Sequence, residues 1–478
     1  MRWVAFVLAL AGCEVAGSQL PPAQRAALQP CTIEGVAGEA RCGTVRVNES
    51  PTSARTIDLR VIVLPALNAP ALPDPILPLL GGPGQGAAEL AAAMAQRYAP
   101  FRDQRDIVLV DRRGTGSSNG LQCEPPALVS ELTGSIFDPA ELSRCRDALA
   151  KRADLTQYTT TAAARDYEAV LDQVGYREVN AIGTSYGSRM ALELARQLPR
   201  RMRTMTIEAI VPMDFTWPSH GAADADAALD AVIDDCAADA RCARTYPRFR
   251  QDIDLAFARL RRSPVSVFVR DPNTGGIAPV SFGQNDLAYA IRGILYGNDA
   301  LALPLWFRQA AEGDFSSFAQ AYVTRARTLD AQIALGVLFG VYCAEDLPFL
   351  DLAAAERSAD GTHLGHYLLD EYKSGCEVWP RAAIDPFFRE PVQTTVPSLV
   401  MAGRRDPVTP PRNAIEVSRT LTRSRLIVWP NGGHGTDGLA SADCRTGIMR
   451  EFLRTADPSA FSIDCVAQEP ARPFIGAQ

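Results

Sequence analysis

Glu178-Val179-Asn180-Ala181-Ile182-Gly183-Thr184-Ser185-Tyr186-Gly187-Ser188-Arg189-Met190 is the stretch that decides the reading of this chain. Its first five residues read as a short buried strand. Met190 to Leu198 has helix-forming composition. Between them lies Gly-x-Ser-x-Gly, with Gly183 and Gly187 on either side of Ser185. A serine on a strand-to-helix turn sits on strained backbone, so its neighbours must be small. The helix N-terminus behind it has free N–H groups, which suit a developing negative charge. The pentapeptide alone is weak: at ordinary glycine usage, on the order of 10% of chains this long carry one. The flanking strand and helix are what raise it.

Outward from this turn the pattern is regular. Residues 43–47 and 57–63 each alternate like strands, which suggests an antiparallel start to a sheet. Ile76-Leu77-Pro78-Leu79-Leu80 is a short apolar run that ends in Gly81-Gly82-Pro83-Gly84-Gln85-Gly86. No Gly-Lys-Ser/Thr follows, so a phosphate cradle is the weaker reading of that loop. Residues 107–110 form another apolar run, 166–174 a helix pattern, and 205–210 a further strand. Strands and helices that alternate from 76 to 210 predict a parallel α/β sheet. From 213 to 391 the chain turns alanine-rich and mostly helical, with one strand-like piece at 265–269. That stretch reads as an inserted cap. The sheet resumes at 398–402 and 424–429, and a last helix is expected near 446–453. No internal repeat is visible.

At 478 residues the chain is too long for one simple core. With 47% hydrophobic and 22% charged residues, its composition is ordinary for a globular protein. A formal charge of -7 gives no reason to expect nucleic acid. The beginning differs: Met1-Arg2 is basic, Trp3 to Ala11 is apolar but too short to span a membrane, and Leu10-Ala11-Gly12-Cys13 follows. This is the layout of a secretory signal, and its end resembles the lipobox at which bacterial lipoproteins are cleaved and lipidated. Cleavage after Ala16-Gly17 is the alternative. The expected organisation is therefore a signal segment at 1–12, a tether at 13–30, core at 31–212, cap at 213–391 and core again at 392–478. There are 11 cysteines. With Cys13 set aside, the rest fall in neighbouring pairs: Cys31 with Cys42, Cys123 with Cys145, Cys236 with Cys242, Cys343 with Cys376, Cys444 with Cys465. Such spacing suits disulfides in an oxidising compartment. Metal ligation is the alternative, but no C-x-x-C exists and no histidine lies beside a cysteine.

A serine hydroxyl needs a base to take its proton. The chain has four histidines, His220, His363, His366 and His434. His434 lies in Asn431-Gly432-Gly433-His434-Gly435, a turn after an apolar strand, where such sheets present ligand-facing residues. The others fall in the cap. His363, His366 and Glu371 allow a metal-site reading, against the plainer one of solvated helix residues. Asp406, in Gly403-Arg404-Arg405-Asp406-Pro407-Val408, follows a strand and is the candidate acid that orients the histidine; a turn aspartate is its plain alternative. The oxyanion donors are the N–H groups of Gly82 and Tyr186.

Together Gly81-Gly82-Pro83-Gly84, Asp111-Arg112-Arg113-Gly114-Thr115-Gly116, Gly183-Thr184-Ser185-Tyr186-Gly187, Gly403 to Pro410 and Gly432-Gly433-His434-Gly435 resemble the proline iminopeptidase and tripeptidyl aminopeptidase family of α/β-hydrolases. The order Ser185, Asp406, His434 is the order of that fold. The likeness runs from about Cys31 to Cys465, and the last third resembles the tripeptidyl aminopeptidases. Many members carry histidine before Gly-Gly-Pro-Gly; here it is Leu80, so only the backbone role of Gly82 carries over. The resemblance implies an α/β-hydrolase sheet with a helical cap, and a catalytic set of Ser185, Asp406 and His434 that needs no metal or cofactor. It also implies acidic side chains near the cap that bind a substrate's free amine, with Glu345 and Asp346, and then Glu208, as candidates. The expected protein is an exported serine aminopeptidase, periplasmic, cell-surface or secreted. Its partners are peptides with a free N-terminus, and it meets a membrane only through lipid on Cys13. A carboxylesterase on the same triad is the first rival. A non-enzymatic surface lipoprotein is the second, and the intact triad argues against it.

Overall fold

The computed structural model describes residues 28–477. The expected signal segment, Cys13 and nearly all of the expected tether lie outside the described residues. The strands are β1 (Gln29–Cys31), β2 (Ala40–Asn48), β3 (Thr56–Leu64), β4 (Leu72–Leu79), β5 (Arg105–Val110), β6 (Val179–Thr184), β7 (Met202–Glu208), β8 (Val265–Arg270), β9 (Ile277–Phe282), β10 (Ser398–Gly403) and β11 (Ser424–Trp429). Nine of them form one sheet in the order β1-β2-β3-β5-β4-β6-β7-β10-β11. The β1-β2, β2-β3 and β3-β5 pairs are antiparallel, and every pair from β5-β4 to β10-β11 is parallel.

Strand side chains alternate between two cores, as a period of two requires. Val61, Val63, Leu77, Leu79, Val108 and Val110 bury on one face. Ile62, Leu64, Ile76, Ile107 and Leu109 bury on the other. Both faces are covered, so these strands read as unbroken apolar runs rather than half-polar ones. The helices Thr160–Val174 and Tyr186–Gln197 pack on the first face. The former is set by its ends: the Thr159 side chain accepts from the Ala162 N–H, and Gly175 closes it at φ 85°.

The segment expected as one cap divides its packing. Helices from Gly221–Ala238 to Ser316–Thr328, with the antiparallel β8-β9 hairpin, close around their own core of Phe257, Phe282, Phe307 and Phe318. Leu335–Val341 and Tyr367–Val378 instead join the core beneath the sheet, through Val337, Phe339 and Cys376. Leu335-Gly-Val-Leu-Phe-Gly-Val is apolar on all sides and has no face to give to water. The neighbouring cysteines pair as their spacing suggested: Cys31–Cys42, Cys123–Cys145, Cys236–Cys242, Cys343–Cys376 and Cys444–Cys465.

Candidate active site

The parallel strands converge on one edge. Gly81 and Gly82 follow β4, Ser185 follows β6, Asp406 follows β10 and His434 follows β11. This is the carboxyl end of the sheet, where open α/β sheets bind ligands. Ser185 sits at φ 58° and ψ −129°, a region that side chains rarely occupy. The turn is held because the Ser185 N–H donates to the Glu208 carbonyl at 2.9 Å and the helix starts at once with Tyr186. Gly187 makes the approach possible: a Cβ there would overlap the Leu79 carbonyl oxygen of β4.

Asp406 is buried and fully bonded. Its Oδ1 accepts from the N–H groups of Val408 and Thr409 at 2.9 and 2.8 Å. Its Oδ2 accepts from Thr409 Oγ1 at 2.7 Å and from the Gly435 N–H at 3.1 Å. Both oxygens lie 3.0 Å from His434 Nδ1. Burial opposes the Asp406 charge, but the His434 ring and the His434 and Thr409 hydrogen bonds hold the carboxyl below its ordinary value. Burial likewise disfavours a charged His434, yet the Asp406 charge and hydrogen bond outweigh it and push the ring up to about 9. With Nδ1 occupied, Nε2 is the nitrogen left to work. His434 and Ser185 line the same cavity, of about 350 Å³, between the sheet edge and the cap.

Gly82 and Tyr186 line that cavity too. The Tyr186 N–H is in the first helical turn, so it has no acceptor within its helix. Gly82 has φ 103°, which a side chain would resist. Its loop is tied from three sides. Arg112 Nη2 donates to the carbonyls of Leu80 and Gly81 at 3.2 and 3.4 Å. The Tyr342 hydroxyl donates to the Gly82 carbonyl at 3.2 Å, and the Ala334 N–H to Gly84 at 3.1 Å. Arg112 of the Asp111-Arg112-Arg113 motif thus organises the glycine loop, a role its sequence did not disclose.

None of the three acids expected to bind an amine lines the cavity. Glu345 is buried and accepts from the Thr160 N–H at 2.7 Å and Thr160 Oγ1 at 2.6 Å. Burial pushes its carboxyl up to about 7, against the pull of Arg189. Asp346 is buried on Arg189 at 2.8 Å. Glu208 is held by Arg445 and, at 3.3 Å, by Arg97. The expectation of an amine site at Glu345, Asp346 and Glu208 therefore finds no support: their charges are spent on internal arginines. Instead Glu345 supports the turn, because Thr160 Oγ1 also lies 2.6 Å from the Tyr186 hydroxyl. The acids that do line the cavity are Asp330 and Asp437. Nor are His363, His366 and Glu371 gathered. His363 pairs with Asp226, His366 with Asp360, and Glu371 accepts from the Ile136 and Phe137 N–H groups. His220 Nδ1 lies 3.2 Å from Ser358 Oγ. The carbonyl of Tyr296, a residue unremarked in the sequence, accepts the His434 backbone N–H at 2.8 Å, and its ring lies tilted 4.5 Å from the imidazole.

Residues 75–239 match the family described as alpha/beta hydrolase fold, and residues 362–465 that described as TAP-like protein. The chain is similar to a tripeptidyl aminopeptidase of Streptomyces coelicolor, 23% identical over 430 residues, which cover 82% of this chain and 76% of that protein. It is similar to the serine protease Hip1 of Mycobacterium tuberculosis, 23% identical over 401 residues, 74% of each chain. Among solved structures it resembles a proline iminopeptidase of Mycobacterium smegmatis at 16% identity, covering 88% of this chain and 100% of that one with a TM-score of 0.37. It resembles a thermophilic esterase of Thermogutta terrifontis at 15% identity, covering 87% and 98%, also with a TM-score of 0.37. Gly82 and Ser185 fall in the first family match and Asp406 and His434 in the second; the chain has the α/β-hydrolase fold and is a serine hydrolase, and its C-terminal region is similar to the TAP-like proteins.

Proposed function

We propose that the chain is an exported serine aminopeptidase that releases residues or short peptides from peptide N-termini through an acyl-enzyme. Ser185 Oγ attacks the scissile carbonyl while His434 Nε2 takes its proton. Asp406 keeps the Nδ1 proton turned inward and stabilises the imidazolium. The N–H groups of Gly82 and Tyr186 receive the oxyanion. His434 then passes the proton to the leaving amine. Water, deprotonated by the same ring, attacks the acyl ester and frees Ser185. The observation that carries this reading is the buried Asp406–His434 pair on the wall of the cavity that Ser185 also lines. The names of the relatives support peptides as substrates.

Asp437 is the proposed partner of the substrate's amine. It lies three residues beyond His434, lines the cavity, is exposed there and has no ion-pair partner among the described residues. An ammonium beside a carboxylate gains more in a cleft of low dielectric than in water. Five disulfides support an oxidising compartment, hence export. Lipid on Cys13 is the proposed anchor, readable by mass analysis of protein from its native host.

The test is a panel of chromogenic amides carrying one to three residues, with the amine free or acetylated, and small neutral esters beside them. Free-amine amides should be cleaved and their acetylated forms left. Ser185→Ala should reduce turnover by roughly 10⁴ to 10⁶ while circular dichroism stays unchanged. Asp437→Asn should weaken free-amine substrates more than esters. Acetylated amides cleaved as fast as free ones would end the aminopeptidase reading and leave a carboxylesterase.

A further inference from the structure

Among the described residues, four arginines line the cavity that holds Ser185 and His434: Arg97, Arg189, Arg292 and Arg325. Three have a carboxylate. Arg97 meets Glu208 at 3.3 Å, Arg189 meets Asp346 at 2.8 Å and Arg325 meets Asp330 at 3.4 Å. Arg292 has none among the described residues. It is only 7% exposed, and its Nε is buried without a hydrogen-bond partner. Guanidinium does not give up its proton in proteins, so this group stays a cation. Buried cations are ordinarily paired, because an unpaired one loses its hydration for nothing.

What Arg292 does touch is aromatic. Its Cζ lies 4.8 Å from the centre of the Trp217 ring and 5.7 Å from that of Tyr296. Aromatic rings attract the cation but offer its N–H groups no lone-pair acceptor. They leave the N–H donors, which lie in its plane, free for a planar acceptor with two oxygens. The described residues supply no such acceptor, and the cavity is where one would arrive.

We propose that Arg292 is the seat of a substrate carboxylate, either an acidic side chain or the C-terminus of a short peptide. This rests on hydrolysis at Ser185, not on which end of the substrate is released. The distance from the reaction is bounded. Tyr296 stands between, 5.7 Å from the Arg292 Cζ on one side and 4.5 Å from the His434 ring on the other. End to end, those steps span about three extended residues at roughly 3.3–3.6 Å each. The carboxylate therefore belongs within about three residues of the scissile bond.

The experiment compares matched substrates that differ only in that group. One set places Glu or Gln at each position of a tripeptide amide. Another gives short linear peptides a free or amidated C-terminus, and so separates the two sources of carboxylate. Each pair is measured with wild type, Arg292→Gln and Arg292→Lys, after melting curves establish that the variants fold. Wild type should favour the acid in at least one set by about 10- to 100-fold in kcat/KM. Arg292→Gln should bring that ratio close to one, and Arg292→Lys should restore part of it. A wild-type ratio near one throughout, or a ratio that Arg292→Gln leaves intact, would overturn the proposal. If no peptide is cleaved at all, the aminopeptidase reading fails by itself. Nitrophenyl monoesters of dicarboxylic acids, set against the corresponding half-amides, then test Arg292 in the same way.

Discussion

In the proposed mechanism His434 must be neutral to accept a proton, and Asp406 makes that harder by favouring the charged ring. The two requirements have a measurable result. A base works above its own pKa, so kcat/KM should fall as pH drops through the His434 value. Because that value is raised, the acid limb should lie above the usual histidine range near 6.5. Asp406→Asn removes the charge that raises it and also turns the Nδ1 proton outward. The variant should lose roughly 10⁴ in kcat, with its remaining acid limb moved to lower pH. Rates between pH 5 and 10, measured on the best substrate for both proteins, check this. A limb that stays put in Asp406→Asn would mean that another group titrates. The remaining bonds to Asp406, from Val408, Thr409 and Gly435, keep it ionised while it does so.

At the scale of elements the turn at Ser185 depends on how closely β4 approaches the helix Tyr186–Gln197. Gly187 is the contact point, and a single methyl there would overlap the Leu79 carbonyl. Backbone cannot move aside as a flexible side chain can. Gly187→Ala should therefore destabilise by about 3 kcal/mol or more, read by denaturant unfolding, and shift the Ser185 turn enough to reduce activity as well. A variant as stable and active as wild type would show that the approach is looser than described. This turn was legible in the sequence because its causes are local: an apolar run, two glycines and a helix-forming stretch in succession. So were β2 to β7, whose alternation or apolar runs are short-range signals, and the Ser185, Asp406, His434 order. β9 was not legible, since Ile277-Ala-Pro-Val-Ser-Phe carries a proline and pairs only with β8. Glu345 misled for a different reason. Its acidic turn beside Cys343 is visible, but its partners Thr160 and Arg189 lie far away in the chain. Arg292 gave no signal at all, because an arginine in a helical segment reads as solvated until a cavity is found beside it.

On the scale of the molecule, the cap decides what can reach Ser185. The cavity has walls from both parts: Leu80, Gly82 and His434 from the sheet edge, and Tyr289, Arg292, Tyr296 and Arg325 from the segment above. The stretch 334–345, which packs with the sheet's core, is tied to the glycine loop by Tyr342 to Gly82 and Ala334 to Gly84, and to the helix Thr160–Val174 by Glu345 to Thr160. The Cys343–Cys376 bridge fixes the stretch from which Tyr342 and Glu345 project. A volume of about 350 Å³ is near the small end of the roughly 300–1,000 Å³ that holds a drug-sized ligand. A chain end can enter such a space, whereas a loop must bring two strands of backbone through the same opening. The enzyme should therefore cleave a linear peptide and leave the head-to-tail cyclised form of the same sequence intact. Mass spectrometry of both after equal exposure reads the outcome directly. The cyclic form removes the free ends without adding a blocking group, so it separates access from amine recognition. Cyclic peptide opened at a rate close to that of the linear one would mean that the cap swings clear of Ser185, and the exclusion of internal bonds would have to be abandoned.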